Sequence, residues 1–242
     1  MERTLVFPEE ESVGMLFAAD RAYCLDDGGI EWIGEAMGSV VLPDTEYVGL
    51  IFSNNVPMRR LVLKELDLSC IQLLYFRNPF ELHFDELMDD LSTLERAVLD
   101  SHPNDEDCVL LSSLHGLRAI DLTESNISDA GVIQLCEIQS LESLVLSYTS
   151  VSDLGLSDLH NLVDLRELDL SLTMISTEAL AQIGTLKKLE ELRLGATGIS
   201  DDGLHYLMNL QNLSFIDVSE TLVSDEGIAI LQAALGNCQI HF

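Results

Sequence analysis

The densest set of side chains that could do chemistry lies in one short segment, DSHPNDEDC, at residues 100–108. Its candidate ligands are His102, Asp105, Asp107 and Cys108. Imidazole, carboxylate and thiolate groups are the ligands that Zn²⁺ takes in proteins, so a metal site is one interpretation. The other is structural: Cys108 falls near the expected start of a helix, where small side chains point inward, and the acids are typical of a solvated loop. We favour the structural interpretation and expect neither a metal nor a cofactor.

Motifs for catalysis are absent from the sequence. It has no P-loop, no G-x-S-x-G nucleophile motif and no H-E-x-x-H zinc motif. The histidines are scattered along the chain, at His83, His102, His115, His160, His205 and His241. The sequence therefore predicts a protein that is not an enzyme. An alternative stays open, in which residues 1–46 contain a catalytic site of an unfamiliar type.

The chain is strongly acidic. It has 42 Asp and Glu residues against 12 Lys and Arg, a formal net charge of −30 over 242 residues. Such a field repels nucleic-acid phosphates and anionic lipid headgroups and attracts basic proteins. We therefore expect a basic protein partner, with no nucleic acid and no membrane. The plainer alternative is that the charge only keeps a monomer soluble.

Location is indicated by three features. No run approaches the roughly 20 apolar residues of a membrane span, and the N-terminus lacks the basic stretch and apolar core of a signal peptide. The cysteines are odd in number and show no C-x-x-C pair, at Cys24, Cys70, Cys108, Cys136 and Cys238. Reduced thiols and a cytoplasmic location are expected, with export by another route left open.

A 24-residue unit repeats five times without gaps. The units begin at Leu117, Leu141, Leu165, Leu189 and Leu213. Their shared pattern, L-x-x-L-x-L-x-x-T-x-I-S-D-x-G-L-x-x-L-x-x-L, resembles the leucine-rich repeat in a bacterial-looking form, and is similar to the cysteine-containing repeats of ubiquitin-ligase receptors. Less regular units of 23 residues begin at Ile71 and Leu94, and another begins near Tyr47.

The resemblance implies an α/β solenoid shaped like a horseshoe, with a parallel sheet on its concave face, helices on its convex face and about eight repeats. We assign residues 1–46 to an N-terminal cap, 47–236 to the solenoid and 237–242 to a C-terminal capping strand. In the cap, GIEWIGEAMG places Ile30, Ile33 and Met37 at helical spacing, which predicts a helix. Trp32 falls off that stripe; we expect it to pack on the first repeat, and a half-exposed ligand anchor is the alternative.

Within each unit the polar columns predict turn chemistry. A Ser/Thr column (Ser125, Thr149, Thr173, Thr197, Thr221) could bond the backbones of neighbouring turns. The Ser-Asp pair is expected to offer oxygens to free N–H groups at a helix start, and the Gly column to let backbones pack closely. Because each S-D-x-G loop supplies one or two carboxylates and Ca²⁺ needs about six or more oxygens, we do not read these loops as calcium sites. Arg118, Glu142, Arg166 and Glu190 share a column and should pair laterally.

Partner binding is placed by the resemblance on the concave sheet. Outward positions there predict an acidic patch of Glu167, Asp169, Glu191 and Asp217 around Arg193, with Tyr148, Leu172 and Phe215 as apolar anchors. A solvated face, with Arg193 balancing its neighbours, is the alternative. Residues 85–107, with nine acids and one Arg, are a second candidate for a basic partner.

A different function is raised by LPDTEYVGLIFS, residues 42–53, which resembles the start of an F-box. The stretch has one residue too many, and the later tryptophan of that motif is missing. The alternative function is a ubiquitin-ligase substrate receptor. A helical segment over 42–66 would favour it, whereas a strand at 47–53 stacked on the sheet would count against it.

Overall fold

The computed structural model describes residues 103–242, apart from the side chain of Leu110, and upstream of these the backbone of seven strands. The chain divides into two compact units. The first comprises Met1–Ser101 with Ser113–Ala119, and the second comprises His102–Ser112 with Ile120–Phe242. Each unit is described by itself.

The first unit contains a two-stranded ribbon and a mixed set of five paired strands. Its strands are β1 (Arg3–Val6), β2 (Gly14–Ala19), β3 (Ile30–Glu35), β4 (Ser39–Leu42), β5 (Tyr47–Phe52), β6 (Leu73–Phe76) and β7 (Arg96–Leu99). Strand β1 pairs with β4, and β2 pairs with both β3 and β5, all antiparallel. Strands β5, β6 and β7 pair in parallel, Gly49 with Leu73 and Leu73 with Arg96, at the repeat's spacing.

The helix expected around residue 33 is wrong, because Ile30–Glu35 is strand β3. The segment is short, so its apolar spacing fits both periods, and β-branched and aromatic residues favour a strand. Its long-range pairing with β2 fixes the outcome. Tyr47–Phe52 is also a strand, which does not fit the helical start of an F-box. The side chains of Ile30, Ile33 and Trp32, together with Met37, lie outside the described residues.

The second unit is a parallel sheet with helices, as the repeat predicts. The strands are β8 (Ala119–Asp121), β9 (Ser143–Val145), β10 (Glu167–Asp169), β11 (Glu191–Arg193), β12 (Phe215–Asp217) and β13 (Gln239–His241), neighbours in that order. The α-helices are α1 (Asp105–Leu111), α2 (Asp129–Leu135), α3 (Ala179–Ile183) and α4 (Asp225–Leu235). The 3₁₀ helices are Asp153–Leu156, Leu159–Asn161 and Asp201–Asn209. The horseshoe shape, the count of eight repeats and the domain boundaries stay predictions.

The core of the second unit consists of the repeat's apolar columns. Leu189, Leu192 and Leu194 are fully buried in one unit, and so are Ile199 and Leu207, which return to the core from the turn and the helix. Burying several such side chains per unit supplies most of the stabilisation, at about 1.5–3 kcal/mol for each large apolar side chain. No helix among the described residues is long and apolar enough to cross a bilayer.

At two helix starts with a Ser-Asp pair, the two side chains bond to different repeats. The predicted serine cap forms at both: Ser128 Oγ accepts from the N–H of Ala130, and Ser152 Oγ accepts from that of Leu154. Ser200 makes no such side-chain bond. The aspartate instead reaches into the next repeat, where Asp129 accepts from Ser152 N–H and Ser152 Oγ, both at 2.7 Å. We call this contact the Asp–Ser clasp. It recurs in the pairs Asp105–Ser128, Asp153–Ser176 and Asp201–Ser224.

The glycine column makes room for this clasp. A Cβ built on Gly155 would lie 2.7 Å from Asp129 Oδ1 and 2.9 Å from Asp129 Cα, closer than van der Waals contact allows. The expected close packing at these glycines is therefore confirmed. The exception, Ala179, is accommodated in a unit whose helix α3 begins at Ala179 itself, whereas α2 begins two residues before its glycine, Gly131.

The Ser/Thr column bonds within its own repeat, so the predicted ladder between turns is wrong. Thr149 Oγ1 donates to the carbonyl of Leu146 at 2.7 Å, and Thr197 Oγ1 donates to that of Leu194 at 2.6 Å. Thr173 and Thr221 make the same bond, to the carbonyls of Leu170 and Val218. Ser125, the column's only serine, is 7% exposed, and its hydroxyl finds no partner among the described residues.

The predicted lateral charge column is confirmed for three of its members. Arg166 lies 3.8 Å from Glu142 through its Nε and also pairs with Glu190 through Nη1. These three side chains stabilise neighbouring repeats, so we do not assign them to ligand binding.

Candidate functional site

The sheet of the second unit places the predicted patch residues in two rows. Glu167 lies beside Glu191, which lies beside Phe215, along β10, β11 and β12. Two positions on, Asp169, Arg193 and Asp217 form a second row in the same register. Side chains two apart in a strand share a face, so all six project from one side of the sheet. Sequence periodicity was sufficient to group these residues.

Arg193 is the centre of this group. Its guanidinium donates to Glu167 Oε1 at 3.1 Å and to Glu191 Oε2 at 2.8 Å. It also lies over the ring of Phe215, with Cζ 5.3 Å from the centroid, a cation–π contact. Burial alone would lower the pKa of Arg193, but Glu191 and Glu167 outweigh it and raise the pKa further. The guanidinium is therefore a permanent cation that holds two acids and one ring in place.

The two aspartates flank Arg193 and have opposite electrostatic behaviour. Burial raises the pKa of Asp169, although Ser171 donates a backbone hydrogen bond to it at 2.8 Å. Burial also acts on Asp217, but hydrogen bonds from Ser219 and a contact with His241 at 3.2 Å outweigh it and lower its pKa. Asp169 is thus a poorly solvated carboxylate that a positive group would stabilise.

The acidic patch keeps a surplus of negative charge after these contacts are counted. The two rows contain four carboxylates and one guanidinium, which pairs with Glu167 and Glu191, whereas Asp217 contacts His241. The side chains of Glu167, Glu191 and Asp217 are 31%, 44% and 20% exposed. Ser143 Oγ, on β9, also donates to Glu167 Oε2 at 2.8 Å. The face is both preorganised and negative, as expected for a surface that receives a basic group.

The predicted apolar anchors do not form one cluster. Phe215 joins the Arg193 group, but Tyr148 and Leu172 lie on the turns that follow β9 and β10, beyond the strand ends. Both have positive φ, 57° and 56°, and are 56% and 42% exposed. The structure therefore separates an acidic face on the strands from an apolar row on the turns.

Sequence reasoning missed three residues near these surfaces. Met174 and Leu222, 69% and 72% exposed, lie two positions beyond the positive-φ column, in the turns. His241 on β13 contacts Asp217. The aligned columns of the repeat contain the signal for the first two, because a column that is polar or small in three units holds a large apolar residue in the other two.

The candidate metal segment has structural roles in its described part. Asp105 accepts from Ser128, Asp107 accepts from the N–H of Asn104 at 2.8 Å, and Cys108 is fully buried. Burial raises the pKa of the Cys108 thiol, so it stays protonated. His102 and most of the acidic stretch 85–107 lie outside the described residues. Over residues 103–242, no group of three or more His, Cys, Asp and Glu side chains is arranged to hold a metal ion.

Comparison with known proteins identifies the repeat. A family model described as Leucine Rich repeat matches residues 114–136. Internalin C2 of Listeria monocytogenes strain 4b F2365 is similar in structure, at 23% identity and a TM-score of 0.51, over 76% of this chain and 65% of that one. This chain thus spans slightly less than two thirds of internalin C2. The internalin InlF of the same strain matches at 15% identity and a TM-score of 0.43, over 72% and 67% of the two chains. No curated protein matches the sequence.

Proposed function

We propose that this chain, which is a leucine-rich repeat protein, is a non-catalytic module that recognises another protein through the exposed face of its parallel sheet. The observation that carries the proposal is the Arg193 group, in which the guanidinium pairs with Glu167 and Glu191 and lies over the ring of Phe215. Asp169 and Asp217 lie beside Arg193 on the neighbouring strands. We call Glu167, Asp169, Glu191, Asp217, Arg193 and Phe215 the acidic face.

The partner of the acidic face is a protein with a basic surface. The surplus carboxylates attract Lys and Arg side chains during approach and select against acidic surfaces. Phe215 and the stem of Arg193 give apolar contact area, which is where binding energy concentrates in interfaces. Asp169 adds to the binding free energy, because a cation of the partner would stabilise the charge of its poorly solvated carboxylate.

The remaining features of the proposal follow from the charge and the repeats. The acidic face forms the concave side of a monomeric solenoid in the cytoplasm, and neither nucleic acid nor membrane is its target. A soluble but non-binding face is the competing account. In it, Arg193 only balances its own neighbours and the exposed acids serve solubility.

The test is affinity capture from the native lysate at low and at high salt, read by mass spectrometry. The bait is the wild-type chain and a Glu167→Lys, Glu191→Lys variant, chosen because both side chains are partly exposed and Asp169 is mostly buried. A Glu137→Lys, Asp202→Lys variant is the matched control, since both of its residues are exposed and lie off the strands.

We expect a basic protein that wild type and control retain at low salt and that the paired reversal loses. Retention by the paired reversal would move the contact away from the acidic face. Capture of nothing by any bait would favour the solubility account.

A further inference from the structure

A second exposed surface lies beside the acidic face, on the turns after the strands. Four large apolar side chains line it: Tyr148, Leu172, Met174 and Leu222. Their exposed fractions run from 42% to 72%. We call these four residues the apolar edge. A cluster of exposed apolar side chains in one place marks an interaction surface more often than scattered ones do.

The turns that carry the apolar edge have one backbone conformation. Tyr148 and Leu172 belong to a column whose φ lies between 54° and 58° in five consecutive repeats. Each of these residues donates its N–H to the carbonyl of the next repeat, Tyr148 to Ser171 at 3.0 Å and Leu172 to Gly195 at 2.9 Å. The column therefore extends the sheet's hydrogen bonding past the strands and aims its side chains in parallel.

Hydrogen bonds also run in the opposite direction two residues further on. Met174 donates to the carbonyl of Val151 at 2.8 Å, and Leu222 donates to that of Ile199 at 2.9 Å, both in the preceding repeat. The turn of Leu172 and Met174 is thus bonded to both neighbouring repeats, and that of Leu222 to the preceding one. The apolar side chains stand on a fixed backbone, so a ligand would not have to order the turns before it binds.

The height of the surface along the apolar edge varies with side-chain size. Between the unit of Leu172 and Met174 and the unit of Leu222, the same two columns hold Ala196 and Gly198. These small residues leave a low point flanked by larger apolar side chains. An apolar side chain of a ligand would fill this low point, whereas a flat partner surface would leave it empty.

Charge identifies the ends of the ligand. The positive-φ column begins at Glu124 and ends at Glu220, both exposed. Neither makes an ion pair with any residue of the range 103–242. At about 4.8 Å between neighbouring strands, four steps separate these acids by about 19 Å, which is the length of about six residues of extended chain.

From this geometry we infer that the apolar edge binds an extended segment of a partner protein, about six residues long, with an apolar centre and a basic residue at each end. The segment lies across the repeats, with its apolar side chains against Leu172, Met174 and Leu222 and its basic ends at Glu124 and Glu220. The inference rests on the proposed recognition function and adds to it a second contact surface with its own ligand chemistry.

The test is a random octapeptide array probed with labelled full-length chain. The variant is Met174→Asp, Leu222→Asp, whose two positions are exposed enough for the fold to persist. Leu154→Asp, at a 75% exposed position on the 3₁₀ helix Asp153–Leu156, is the matched control. A third bait is the acidic-face reversal Glu167→Lys, Glu191→Lys. Sedimentation of each chain at several concentrations accompanies the array.

We expect peptides with an apolar centre and basic ends to be enriched, and their signal to fall at least tenfold with Met174→Asp, Leu222→Asp and to persist with Leu154→Asp. Basic peptides without an apolar centre, lost only with the acidic-face reversal, would overturn the inference and leave the proposed function standing. No enrichment for any bait would contradict both. A dimer that the Met174→Asp, Leu222→Asp variant abolishes would assign the apolar edge to a second copy of the chain and also overturn the inference.

Discussion

Replacing Gly155 by alanine should break the Asp–Ser clasp between Asp129 and Ser152 of neighbouring repeats. The new Cβ would lie 2.7 Å from Asp129 Oδ1 and 2.9 Å from Asp129 Cα. Rotating the Asp129 side chain removes the first clash but not the second, because the second involves backbone. The repeats must therefore move apart, and the carboxylate loses its bonds to Ser152 N–H and Oγ.

The expected loss of stability is about 2–4 kcal/mol. Overpacking of a tight contact costs about 1–3 kcal/mol. Each of the two bonds to the half-buried carboxylate contributes about 1 kcal/mol once its partial exposure is allowed for. Against this, alanine is favoured over glycine in a helix by at most about 1 kcal/mol, and the segment here is a short 3₁₀ helix.

Urea unfolding followed by circular dichroism measures this loss, with an unchanged m-value as the sign that only stability has changed. Ala179→Gly, in the same column, is the control and should cost the helix propensity, about 1 kcal/mol, and the burial of one methyl, about 0.8 kcal/mol. In an Asp129→Ala background the Gly155→Ala cost should shrink, since one clash and both clasp bonds are already gone. A Gly155→Ala protein as stable as wild type, or one whose cost is unchanged by Asp129→Ala, would refute the reasoning.

Three further predictions test other parts of the structure. Ser125→Thr should raise the free energy of unfolding by about 1 kcal/mol in urea titrations, because a threonine hydroxyl in this column donates to a carbonyl three residues back, while Ser125 Oγ is unpaired among the described residues; a loss of stability would contradict this. Ala196→Gly should stabilise by about 0.5–1 kcal/mol in the same assay, since relief of a positive φ of 54° exceeds the entropy that glycine adds to the unfolded chain; a destabilised variant would argue against the strain. Burial raises the pKa of Asp169, so the folded chain takes up this proton at a higher pH than the unfolded chain does. The free energy of unfolding should therefore rise as the pH falls from above that raised pKa towards 3.8. Asp169→Asn should flatten this part of the stability profile, measured over a pH series.

Much of the second unit could be predicted because its information is local and repeated. Leu192 and Leu194 point inward in a pattern that recurs every 24 residues, so strand, register and face follow from one unit. The same register predicted that Arg166 would lie between Glu142 and Glu190. The predictions that failed concern contacts that depend on the offset between adjacent turns. Asp129 could have capped its own helix, and only the position of the next repeat sends it to Ser152.

The candidate site shows the same division. The sequence grouped the acidic face because strand alternation fixes which residues share a side. It also grouped Tyr148 and Leu172 with Phe215 as apolar anchors, whereas these two residues lie on turns where the backbone has positive φ. A non-glycine residue in that conformation is uncommon, so the repeat pattern gave no signal of it. In the first unit, Ile30–Glu35 became a strand through pairing with β2, a contact remote from its own sequence.

The central claim is that the acidic face contacts a protein partner, and carboxyl footprinting of the captured complex tests it most directly. Carbodiimide coupling of an amine to exposed carboxyls, read by mass spectrometry, compares the free chain with the complex. The account predicts that labelling of Glu167, Glu191 and Asp217 falls on binding while that of Glu137 and Asp202 is unchanged. Equal labelling of the acidic face in the free and bound chains would contradict it.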